Sequence, residues 1–188
     1  MTGEPTIQTK CVNVVLALFV VTCGCATVPE KPESRAVLSS EVREAIAKFK
    51  AADTSIQSFF DNSYGYAVLP KVFKGGFWIG GAHGNGEVFE RGMRIGYCSM
   101  SQATLGFTFG GEFFREIIFF RGKQDLDRFK TGQYTFSAAV TGVAATTGAA
   151  AKADYREGMA VFVMTDVGLM VDASLGGQKF KYVPKAVR

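Results

Sequence analysis

The sequence predicts an α+β domain, with two N-terminal helices packed on a curved, mainly antiparallel sheet of short strands and hairpins. Three observations predict it. Val42, Ile46 and Phe49 recur at helical spacing near the front of the chain. From Tyr66 onward, short apolar runs are separated by glycines. The 188 residues include 17 Phe and 22 Gly but only 5 Pro, a mixture that suits strands joined by tight turns. A chain of this length buries roughly 70% of its unfolded surface, so it needs no disulfide or metal to hold it.

The head of the chain reads as an export signal. Val12 to Val21 is apolar apart from Asn13. The run is too short to span a bilayer, which takes about 20 residues, but it fits the apolar core of a secretory signal. Thr22-Cys23-Gly24-Cys25-Ala26 follows, and small residues leading to a cysteine resemble the lipobox of bacterial lipoproteins. Cys25 is the expected acylation site, with Cys23 as the alternative. An ordinary cleaved signal or an uncleaved anchor also fits, because Lys10 is the sole cation ahead of the run. The expected divisions are residues 1–24 as signal peptide, 25–38 as lipidated N-terminus and tether, and 39–188 as the domain. Under lipidation, the protein sits in the bacterial envelope facing the periplasm, and Ala26 after the cysteine favours the outer membrane. Cleavage and acylation leave Cys98 alone, so no internal disulfide forms, and Cys98 reads as a small buried hydrophobe.

Ala26 to Arg35 is polar, contains Pro29 and Pro32, and reads as an extended tether. Ser39-Ser40 offers an N-cap for a helix from Glu41 to Ala52. Thr54 to Gln57 has capping-box spacing and opens a second helix through Phe60. Both helices are expected to bury their apolar faces on the sheet, with membrane contact as the other reading.

Phe77–Ala82 and Glu87–Met93 flank His83-Gly84-Asn85-Gly86, so a hairpin turn is expected at these four residues. Gly75-Gly76 and Gly80-Gly81 suggest a bulge or a close backbone approach. Ala103–Phe109 and Arg115–Phe120 read as strands, and Asp125–Phe129 as a short helix. Met159–Met164 and Gly168–Leu175 are expected to pair as a last hairpin. Ser137–Ala151 reads as a strand followed by a loop.

Chemistry is sparse. The single histidine, His83, falls in the expected turn, where side chains are solvated. One His without clustered Cys argues against a zinc site. No GxSxG elbow and no phosphate loop occur. Glu112 and Glu116 could pair as acid and base, but an exposed charge cluster explains them better. The expectation is no enzyme, no catalytic residue, no metal and no cofactor. The net charge of +4, without a long basic run, argues against nucleic acid.

Ser63-Tyr64-Gly65-Tyr66-Ala67-Val68-Leu69-Pro70-Lys71-Val72, then Lys74-Gly75-Gly76-Phe77 and Gly80-Gly81, resembles the opening of the SYLF domain. Asp154 to Phe162 and Gly168 to Phe180 resemble that family's closing segments, the latter its bacterial lipoprotein branch. Tyr97-Cys98-Ser99 departs from the Trp-Ser often found in the central strand. The resemblance covers about Ser40 to Pro184. It implies lipid binding, as family members bind phosphoinositides and some bind actin. An exported chain meets no actin, so the implied partner is a phospholipid membrane with anionic head groups, or a related amphiphile. The residues expected to carry it are Lys71, Phe73 and Lys74, with Lys179, Phe180 and Lys181: two aromatics, each flanked by cations. The competing readings are lysines that guard solvated strand edges, and a surface that docks an envelope protein.

Overall fold

The structure, a computed structural model, describes residues 28–77, 79–105, 110–132, 135–136, 143–144, 150–165 and 178–185. Helix α1 runs from Pro32 to Ala52 and helix α2 from Gln57 to Asn62, with a 3₁₀ turn at Thr54–Ile56 between them. Strands β1 (Gly65–Phe77), β2 (Ile79–Glu90), β3 (Met93–Leu105) and β4 (Gly110–Phe120) follow. Helix α3 spans Lys123–Lys130. Then come β5 (Thr135–Phe136), β6 (Val143–Ala144), β7 (Met159–Thr165) and β8 (Gln178–Pro184). The class is α+β.

The sheet order is β5-β8-β3-β2-β1-β4-β7-β6. Six strands, from β8 to β7, are antiparallel to their neighbours. The two-residue β6 adds a parallel edge. Strands β1 to β4 are 11 to 13 residues long, where short strands were expected.

Helix α1 begins nine residues before the expected start at Glu41. Pro32 suits the first helical turn, because its missing N–H would have had no partner there. Pro32 to Arg35 is therefore helix rather than tether, and Ser39 and Ser40 lie inside it. Arg35 Nε donates to Pro29 O at 2.9 Å and fastens the entry to the helix. Leu38, Val42, Ala45 and Phe49 form its buried stripe. The next turn is capped by Asp53, not by Thr54. One Asp53 oxygen accepts from Ser55 N and Ser55 Oγ at 2.9 and 2.6 Å, and the other accepts from Ala150 N at 2.8 Å.

The sheet has apolar side chains on both faces. Val68, Ile117, Phe119 and Phe162 meet α1 and α2, where Phe59 and Phe60 pack 5.4 and 4.9 Å from the Phe119 ring. The opposite face carries Leu69, Val72, Met100 and Ile118. Leu126 and Phe129 of α3 close it, and the Phe129 ring lies tilted between Phe120 and Phe180, with centroids 4.9 and 5.0 Å away. Each such ring contributes about 1.5–3 kcal/mol on burial. Cys98 is fully buried on this second face, and desolvation raises its thiol far above the ordinary range.

The β2–β3 hairpin turns at Arg91-Gly92, not at His83–Gly86. Both turn residues have positive φ, 50° and 77°, as a two-residue hairpin with the sheet's twist requires. His83 to Gly86 lie within β2, paired to β1 on one side and β3 on the other. The paired glycines sit opposite one another in regular register (Gly75 with Gly81, Gly76 with Gly80). The bulge is elsewhere. β1 carries one extra residue around Pro70 against both neighbours. Proline cannot donate to a ladder and settles at such an interruption. The expected strand Gly168–Leu175, and most of Ser137–Ala151, lie outside the described residues.

Candidate functional site

The Pro70 bulge decides which side chains line the exposed part of the sheet. Alternation puts Val68 toward α1 and Leu69 toward α3. With one residue inserted, Lys71 and Phe73 return to the α1 face, while Val72 and Lys74 face the other way. Lys71 and Phe73 are exposed and Lys74 is buried at 4%. Lys74 is thus not a surface cation, a correction to the expected lysine–aromatic–lysine corner. Phe180 is corrected as well. It is 5% exposed and packs on Phe129, while Lys179 and Lys181 on either side of it are exposed.

The register brings the remaining expected residues together. Lys179 of β8 pairs with Ser101, Ser101 with His83, His83 with Phe73, and Phe73 with Phe113. Directly opposed residues point to the same face, so this row crosses five strands on one side of the sheet. All five side chains are exposed. The next row runs Lys181, Ser99, Asn85, Lys71. The face has an aromatic centre with lysines on it and along one rim. Phe73 and Phe113 lie 5.2 Å apart, and His83 sits 6.3 Å from Phe73. Lys71 Nζ stands 4.7 Å from the Phe113 centroid, within cation–π range.

Sequence reasoning missed Phe113, Val37 and the helix wall. The N-terminal half of α1 overhangs the sheet beside these aromatics. Ser39 Oγ lies 2.6 Å from Glu87 Oε1, and Arg94 Nη1 reaches both, at 2.5 Å from the carboxylate and 2.6 Å from the hydroxyl. Glu87 is buried, so this network pins the helix firmly to β2 and β3. Between helix and sheet runs a groove of about 560 Å³, lined by Val37, Leu38, Lys71, Phe73, His83 and Phe113. A second hollow of about 270 Å³ shares Glu41, Pro70, Lys71 and Phe113 with it and continues to Arg115. Val37, Phe73 and Phe113 are 60%, 39% and 43% exposed, a cluster of large apolar side chains left toward solvent. Asn85 Oδ1, at the groove floor, is buried without a partner among the described residues.

His83 is on an open strand of this face rather than in a turn. Glu116, expected in an exposed cluster, is fully buried on the α3 side, away from the groove. Cys23 and Cys25 lie outside the described residues. Among the described residues, no helix is long and apolar enough to cross a membrane.

A comparison with protein-family models found no match. Among curated proteins, the chain is similar to Beta cell expansion factor A of Aeromonas veronii, with 29% identity over 149 residues. That alignment covers 79% of this chain but 57% of the relative, so the chain spans little more than half the length of the protein it matches.

Proposed function

We propose that this chain is a lipid-anchored envelope protein that binds phospholipid or a related amphiphile on the groove face. In this reading Cys25 carries the anchor, and the domain is SYLF-like, with its leading helices packed on the curved sheet. The observation that supports it is the row Lys179–Ser101–His83–Phe73–Phe113 beside the groove under α1. The groove volume lies within the roughly 300–1,000 Å³ of small-ligand sites. Acyl chains meet Phe73, Phe113 and Val37, and phosphate meets Lys71, Lys179 and Lys181, each cation contributing about 1 kcal/mol near an anionic surface.

The test is vesicle co-sedimentation of the chain from Ala26 to Arg188, which keeps every described residue and lacks the cysteines open to acylation. Binding should rise with the anionic lipid fraction and fall with salt. The triple change Lys71→Glu, Lys179→Glu and Lys181→Glu should weaken it without unfolding the domain. Unchanged binding would sink the proposed face. No sedimentation at any lipid composition, with one envelope protein recovered by cross-linking to the same face, would favour a protein partner.

A further inference from the structure

Glu116 belongs to the other side of the sheet and has no part in the groove. Its side chain is fully buried on the face that carries Leu69, Val72, Phe114 and Ile118. Its Oε2 lies 3.4 Å from Gln178 Nε2, which in turn lies 3.5 Å from Gln102 Oε1. Its Oε1 has no partner among the described residues. In sheet order, β8 and β4 are separated by β3, β2 and β1. Flat strands would hold them about 19 Å apart at 4.8 Å per step. The sheet therefore bends toward this face, and the Gln178–Glu116 contact joins two strands that no backbone ladder connects.

An ionised carboxylate is costly here, because one oxygen would be buried with no donor and the other held by one long contact. Burial raises the Glu116 carboxyl to about 7, and the Gln178 amide opposes that only in part. Among the described residues, the other titratable groups on this face are Cys98 of β3, Lys74 of β1, Glu112 of β4, Tyr182 of β8 and, at its far end, Tyr64 with Glu90 of β2. Helix α3 adds Asp125, paired with Arg128 at 2.6 Å, and Lys130, 3.4 Å from Glu90. Strands β2 and β7 present Ala82, Val88, Met159 and Val161.

We propose that the Glu116–Gln178–Gln102 chain is a proton-operated latch across the concave face, closed while Glu116 is neutral and opened when it ionises. Ionisation demands water at Glu116. Strand β8 is the element to give way. It is seven residues long and is held by β3 and the two-residue β5, whereas β1 and β2 have long ladders on both sides. Lys179 and Lys181 ride on β8, so opening shifts one rim of the exposed face, whatever that face binds.

The test is amide hydrogen exchange of the full chain from pH 5.5 to 8.5, corrected for the intrinsic pH dependence of exchange. Protection of β8 amides should fall at least about tenfold further across this range than protection of β1 and β2 amides, whose own loss follows global stability. Glu116→Gln, an isostere of the neutral acid, should abolish the step. Gln178→Leu, which leaves the acid in place, should leave β8 weakly protected at every pH. A β8 profile flat with pH, a step that survives Glu116→Gln, or equal loss in β1 and β8 would each overturn the latch.

Discussion

Phe73 and Phe113 face each other across the β1–β4 ladder with ring centroids 5.2 Å apart, and both remain about two-fifths exposed. Rings left this open hold little of the folding energy. Changing both to Ser should move the urea midpoint only slightly while reducing vesicle binding several-fold. By contrast, Phe119→Ala removes a fully buried ring from the α1–α2 layer and should cost about 3–5 kcal/mol. Urea unfolding and co-sedimentation on the same samples separate the two effects. Loss of binding in Phe119→Ala at a temperature where it stays folded would count against the groove.

Gly111 makes room for Phe73. A Cβ there would sit 2.8 Å from Phe73 Cε2, the far end of a side chain that can rotate. Gly86 is tighter, since its Cβ would meet the Val68 carbonyl oxygen at 2.4 Å, and backbone cannot swing away. Gly111→Ala should fold with a loss within about 1 kcal/mol and an altered affinity for vesicles. Gly86→Ala should be strongly destabilised, by roughly 3 kcal/mol or more, through strain in the β1–β2 ladder. Thermal melts of the two variants, run side by side, check the contrast.

Local periodicity made the legible parts of the fold legible. Val42 and Phe49 sit two turns apart on one helical stripe, and Arg115–Phe120 is a β-branched and aromatic run, so each declares its state within a few residues. The misplaced hairpin shows the limit. Asn85-Gly86 carries a strong turn signal, yet it lies mid-strand, where the Gly86 position admits no side chain because Val68 O is so close. The true turn places Arg91 at positive φ, a cost that the long β2–β3 ladder outweighs. The site suffered from one extra residue. Reading Lys71 and Lys74 as a pair ignored strand alternation, which sends residues three apart to opposite faces, and the bulge at Pro70 decides which face each takes. Phe113 entered the site through pairing with β1, and Lys179 through pairing of β8 with β3, across 78 positions of sequence between Ser101 and Lys179. Such long-range register leaves no local trace.

Asp53 joins two parts of the chain 97 positions apart through its bond to Ala150 N, and it also caps the turn at Ser55. Asp53→Ala leaves both N–H groups without that acceptor, at a position that is only 3% exposed. The expected loss is about 2–4 kcal/mol, combining the cap and the orphaned buried donor. Asp53→Asn keeps one acceptor oxygen and should recover part of it. Urea unfolding of the pair reads the difference. Equal stability of Asp53→Ala and the parent would show that the Ala150 contact is dispensable.

Glu116 also sets a direction for stability against pH. Its folded value, about 7, lies above the ordinary 4.5, so the folded state binds more protons than the unfolded one between those limits. Its contribution is fully present below pH 4.5 and is lost as pH rises through 7. The total is on the order of 3 kcal/mol, the free-energy equivalent of the raised value. Unfolding free energy of the parent should therefore fall from pH 5 to pH 8, against whatever slope the surface groups contribute. Glu116→Gln carries no titrating group at this place, so its curve should be flatter and should lie above the parent's at pH 8. Urea titrations at pH 5, 6.5 and 8 supply both curves. Parallel curves for the two proteins would mean that Glu116 ionises in the folded state as freely as it does in the unfolded chain, and that water already reaches it.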